Sequence, residues 1–183
     1  MMGLIVAGVV LVLVLLAVAL YNSLVRARVR ADEAWSGIAT QLKRRHDLVP
    51  NLVETVKGYA AHEKGVLEQV TASRSRAMGA ATPAQVAQSE GALTQALRGL
   101  YAVAENYPDL KANQSFLSLQ QALADTEGTI AGARQGYNAA VRDLNTRIES
   151  APTNLLAGMF GFTRREFFEL EDPADRAVPQ VRF

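Results

Sequence analysis

The chain has 183 residues, enough for one hydrophobic core plus an appended segment. Its 19 Lys and Arg stand against 18 Asp and Glu, a formal charge of +1, so the basic surface of a general nucleic-acid binder is missing and no nucleic-acid partner is expected. With no cysteine, a disulfide framework, a thiolate metal site and a cysteine nucleophile are excluded.

No side chain between Gly3 and Val25 carries a charge, and residues 4–20 are apolar throughout apart from Gly8. That run approaches the roughly 20 residues that cross the hydrocarbon of a bilayer. It also has no polar face to offer water. Residues 1–22 are therefore expected to be a single-pass transmembrane anchor with the lipid bilayer as partner, Tyr21 lying at the interface. Ala17-Val18-Ala19 leaves a cleaved signal peptide as the alternative, although the leading cations of such a peptide are absent before Arg26. Arg26, Arg28 and Arg30, then Lys43, Arg44 and Arg45, follow the span. The positive-inside rule thus puts the rest of the chain in the cytoplasm, with a periplasmic or extracellular placement as the alternative.

Beyond Asn22 apolar residues recur with helical spacing, and breakers at 47–51 (with Pro50), 81–83 and 107–109 divide residues 23–150 into four helices. The first, 23–46, places Trp35, Ile38 and Leu42 on one stripe and is expected to continue the anchor without a break, since no Gly or Pro lies between Tyr21 and Ser36. The second, 50–80, repeats Leu52, Val56, Tyr59, Glu63, Val66, Val70 and Ala77. Pro50 either starts it as a reversed helix or kinks one longer helix. The third, 84–106, carries Val86, Leu93, Leu97, Leu100, Val103 and, just past its end, Tyr107, with Thr82 as N-cap and Pro83 at the first position. The fourth, 109–150, has Phe116, Leu123, Ile130, Tyr137 and Leu144 at seven-residue intervals, flanked by a stripe of smaller residues, Leu119, Thr126, Ala133 and Ala140. Glu127 and Arg134 border that stripe, as contacts to other helices or as side chains snorkelling at its edge. The fold class is all-α: an N-terminal transmembrane helix followed by a long-helix, four-helix antiparallel bundle.

Residues 151–183 form an aromatic-rich segment ending in a flexible tail from Asp172. Leu155, Leu156, Met159, Phe160, Phe162, Phe167, Phe168 and Phe183 require cover, from the bundle, from a neighbouring subunit or from the membrane interface.

His62-Glu63 begins an H-E-x-x-H zinc motif, but Val66 occupies the second histidine position and His46 is the only other imidazole. Both histidines are expected on helix surfaces. Asp32-Glu33 and Glu169-Glu171 are expected to be solvated. The Arg44-Arg45-His46-Asp47 stretch is expected to be a charged helix end, with binding of a partner or a lipid headgroup as the alternative; a distance of about 30 Å along the helix from Val25 argues against the lipid version. No nucleophile elbow or phosphate loop is present. Catalytic, cofactor-binding and metal residues are all expected to be none.

The strings Tyr21-Asn22-Ser23-Leu24-Val25, Ala34-Trp35, Leu42 to Val53, Val56-Lys57-Gly58-Tyr59 with His62-Glu63, Tyr107 to Asn113, and Ala133-Arg134 with Tyr137-Asn138 together resemble the LemA family over residues 21–168. The resemblance implies a bacterial cytoplasmic membrane, an amino-terminal membrane helix and a helical-bundle domain. It carries over no catalytic residue. The expected function is a membrane-anchored scaffold or adaptor acting through protein contacts, with self-association. An accessory subunit of a membrane enzyme such as a protease, and a hydrolase with an unrecognised site, are the alternatives.

Overall fold

The computed structural model describes residues 1–169, which comprise six helices and no strand. They are α1 (Met2–Lys57), α2 (Lys64–Met78), α3 (Pro83–Ala104), α4 (Pro108–Lys111), α5 (Gln114–Glu149) and α6 (Thr153–Met159). Glu171, Phe183 and the expected tail lie outside the described residues.

The apolar run and the helix after it are one element, as the uninterrupted Tyr21 to Ser36 stretch requires. The division expected at 47–51 is absent, and of the two courses open to Pro50 the chain takes the single longer helix. α1 continues through Pro50 and ends at Lys57, and the turn falls at Gly58 and the residues before Lys64. Proline lacks the N–H that would bond the carbonyl four residues back, here that of His46. Arg74 of α2 supplies the missing donor: its Nε bonds the His46 oxygen at 2.7 Å. The helix survives the proline because a side chain from another helix satisfies the orphaned carbonyl.

α3 begins as expected. Thr82 accepts from the Gln85 N–H at 3.2 Å, the Gln85 side chain reaches back to the Thr82 N–H, and Pro83 occupies the first turn. The long fourth helix is divided, because Asn113 stops α4 and restarts the chain by accepting the Phe116 N–H on its side chain at 3.0 Å. Phe116, Leu123, Ile130, Tyr137 and Leu144 are all buried, so the seven-residue stripe of α5 is consumed inside the chain.

The described chain forms two compact units. One brings Met1–Ile38 together with Ala133–Phe167. In it Leu24, Ala27, Ala31, Tyr137, Val141 and Leu144 are buried, and the Trp35 and Tyr137 rings lie 5.2 Å apart. Tyr137 donates to the Glu166 carbonyl at 2.9 Å, and Asn145 holds Arg165 by its N–H and its carbonyl, each at 2.9 Å. Burial pushes the Tyr137 phenol above its ordinary range.

The other unit holds Ala39–Gly132. Its core is Val49, Leu52 and Val56 from α1, Leu67 and Val70 from α2, Leu93, Leu97 and Leu100 from α3, Leu110 from α4, and Phe116 and Leu123 from α5. Side-chain bonds pin its turns. Tyr107 donates to Glu63 at 3.2 Å, and Asn113 donates to the Tyr59 hydroxyl at 2.9 Å.

Candidate functional site

The charged stretch that local pattern marks as a helix end lies within α1, and half of it is buried. Arg45 is 5% exposed and His46 7%, while Lys43, Arg44 and Asp47 face water. The cause is register. Ile38, Leu42, Arg45, His46, Val49 and Leu52 follow one another at helical spacing, so Arg45 and His46 occupy core positions of α1.

Glu90 is their counterpart on α3, 2% exposed, in the stripe formed by Val86, Leu93 and Leu97. Arg45 Nη1 donates to Glu90 Oε2 at 2.9 Å, and His46 Nε2 meets Glu90 Oε1 at 2.6 Å. A carboxylate only accepts, so this contact requires the hydrogen on His46 Nε2. Arg45 Nη2 donates to Thr94 Oγ1 at 2.8 Å and lies 3.8 Å from Glu127 of α5. Glu127 thus makes the interhelical contact that was one of its two expected roles. Arg134 is half-buried.

Together with the Arg74 bond to the His46 carbonyl, this single turn of α1 is tied to α2, α3 and α5. Buried ion pairs contribute little net stability, because desolvation offsets the attraction, but a mismatched register would leave a charge unpaired at a cost of several kcal/mol, on the order of the whole folding free energy. The network therefore specifies which faces of α1 and α3 meet.

Beside it lies a cavity of about 160 Å³ lined by Arg45, Thr94, Leu97, Tyr101, Gln120 and Glu127, among others. Arg45 Nε is the single buried side-chain polar atom without a partner among the described residues. Burial pushes the Tyr101 phenol up to about 12, with Arg45 opposing and Glu127 reinforcing the effect. A wider open groove of about 810 Å³ runs past Arg44, Leu117, Gln121 and Asp125.

His62, the other histidine of the sequence reading, is exposed in the turn before α2 rather than on a helix surface, and His46 is buried rather than exposed. The two are not brought together. Asp32 is paired with Arg165 at 2.6 Å, and Asp47 with Lys43 at 2.7 Å. The Lys43 hydrogen bond holds the Asp47 carboxyl below its ordinary range.

In the unit containing Met1–Ile38, the side chains from Leu4 to Leu16 stand open, and α1 is the one helix among the described residues long and apolar enough to cross a membrane. Tyr21, at the end of the apolar run, makes edge-to-face contacts with Phe160 and Phe162, at ring separations of 4.9 and 5.9 Å, and the Arg28 guanidinium lies 5.1 Å from the Phe162 ring centre. The aromatic segment is thus divided, with Phe168 buried and Leu155, Met159 and Phe160 exposed.

The sequence model of the LemA family matches residues 34–183. Magnetosome protein MamQ 2 of Paramagnetospirillum magneticum is 29% identical over 189 residues, covering 88% of this chain and 70% of the relative. Magnetosome protein MamQ of Magnetospirillum gryphiswaldense is 27% identical over the same shares of both chains. Protein LemA of Metamycoplasma hominis is 26% identical over 140 residues, covering 74% of this chain and 63% of the relative. None of these names states a reaction or a substrate.

Proposed function

This chain belongs to the LemA family, and from that premise we propose that it is a membrane-anchored helical scaffold that acts through protein contacts and performs no chemistry of its own. The observation that carries the reading is the contrast between the two ends of α1. One is apolar and fully exposed, as a segment solvated by lipid would be. The other is locked into a helical core by Arg45 and His46, both bonded to Glu90. Such a core suits a rigid element displayed at a membrane.

Self-association is part of the proposal. Its support is the open groove beside Arg44 and the exposed Leu117, since the heptad stripe of α5 is already occupied within the chain. Residues 1–22 serve as the anchor in the bacterial cytoplasmic membrane, and the cations from Arg26 onward favour a cytoplasmic bundle.

Mass measurement of the full chain in mild detergent, over a range of protein concentrations, tests self-association. The expected result is a particle larger than one chain. A strictly monomeric particle at every concentration would overturn it. Protease digestion of intact cells tests the side: protection of the bundle is expected, and cleavage from outside refutes the cytoplasmic placement.

A further inference from the structure

The exposed face of α6 matches no need of the scaffold reading. Leu155 is 70% exposed, Met159 77% and Phe160 58%. Single exposed apolar residues require no explanation, but these are contiguous. On a helical wheel Leu155 and Met159 share one direction, Leu156 and Phe160 the next, Ala157 is buried, and Asn154 and Gly158 lie on the remaining polar side. The apolar sector also continues across a groove of about 350 Å³ onto Ala17, Val18 and Tyr21, the last turns of the apolar run of α1. The surface of α6 and that of the anchor form one apolar patch.

Charge sets a boundary on that patch. Asp143 is paired with Arg30 and Arg147, Glu149 with Arg164, and Asp32 with Arg165. Arg26 and Arg28 are exposed and have no carboxylate partner among the described residues. At 1.5 Å rise per residue, Arg28 stands about 10 Å beyond Tyr21 along α1. That matches the roughly 5–10 Å over which an interfacial helix passes from acyl chains to headgroups.

We propose that α6 is a membrane foot. It lies in the leaflet that α1 leaves, with Leu155, Met159 and Phe160 among the acyl chains, an acyl chain seated in the groove against Val18 and Leu156, and Arg26 and Arg28 at the lipid phosphates. The occupant is phospholipid, because the patch is continuous with the anchor's own surface and is bordered by two arginines that have no carboxylate partner among the described residues. The proposal rests on the reading of residues 1–22 as membrane-spanning.

The chain has no cysteine, so single nitroxide labels can be placed in the full protein in phosphatidylglycerol-containing vesicles by Leu155→Cys, Met159→Cys, Asn154→Cys and Leu11→Cys. The ratio of oxygen to water-soluble nickel-complex accessibility should be several-fold higher at positions 155 and 159 than at 154, and highest at 11. A ratio at 155 and 159 as low as at 154, with 11 still in lipid, overturns the membrane foot and leaves the anchor standing. Labels at 155 and 159 shielded from both reagents, each broadened by the same label on a neighbouring copy, identify a second copy as the cover, and also overturn it. A nickel-accessible label at 11 overturns the anchor and the foot together.

Discussion

Pro50 and Arg74 form a pair whose coupling can be worked out from the backbone. Proline within a helix costs about 3 kcal/mol, partly through the carbonyl it leaves without a donor. Here that carbonyl belongs to His46 and accepts from Arg74 Nε at 2.7 Å. Arg74→Met keeps most of the aliphatic stem and removes the donor. A hydrogen bond from a charged group contributes about 1.5–3 kcal/mol, and Arg74 is only half-buried, so a loss near 1.5 kcal/mol is expected. In a Pro50→Ala background the new N–H at position 50 can bond the same oxygen. Arg74→Met should then cost under about 0.5 kcal/mol, a coupling of about 1 kcal/mol between residues on different helices. Urea unfolding of the full chain in mild detergent, followed by far-ultraviolet circular dichroism, gives all four free energies. Equal costs of Arg74→Met in both backgrounds, within about 0.3 kcal/mol, would refute the claim that Arg74 stands in for the missing N–H.

The buried ion pair predicts the opposite pattern of single and double changes. Glu90→Leu leaves Arg45 with Thr94 and, as counter-charge, only Glu127, which is exposed and 3.8 Å away, and should cost about 3–5 kcal/mol; adding Arg45→Met should restore most of it, and a double variant no more stable than Glu90→Leu would contradict the pairing. Tyr101 predicts an alkaline limit. Its phenol is held up to about 12, so the folded chain keeps a proton that the unfolded chain releases near pH 10. This contribution is complete below about pH 10 and declines between about pH 10 and 12, by no more than about 2 kcal/mol after solvent screening. Unfolding free energies of Tyr101→Phe should fall less steeply over that window, and identical slopes would count against a desolvated Tyr101 phenol.

The elements that local pattern predicts well are those whose signals are themselves local. Thr82, Pro83 and Gln85 start α3 through bonds spanning three residues, and the seven-residue recurrence from Phe116 to Leu144 marks the buried face of α5. Pro50 misleads because its cost is removed by Arg74, 28 positions from the carbonyl it serves. No window around Pro50 contains that residue. Asn113 is a quieter omission: an Asx side chain three residues before Phe116 is an N-cap signal that the breaker at Pro108 obscures.

The ion network is legible in outline from charge set against helical register, though not from local charge density. Arg45 and His46 fall between Leu42 and Val49, and Glu90 falls between Val86 and Leu93, each where the helical period calls for an apolar side chain. A charge at a core position must find a partner, because leaving it alone costs more than most single interactions contribute. Two opposite charges at core positions of two helices therefore predict each other across 45 residues, which is the separation at which Arg45 meets Glu90. The same reasoning separates Arg45 from its neighbours. Lys43 and Arg44 lie off the stripe and face water, where Lys43 pairs with the exposed Asp47.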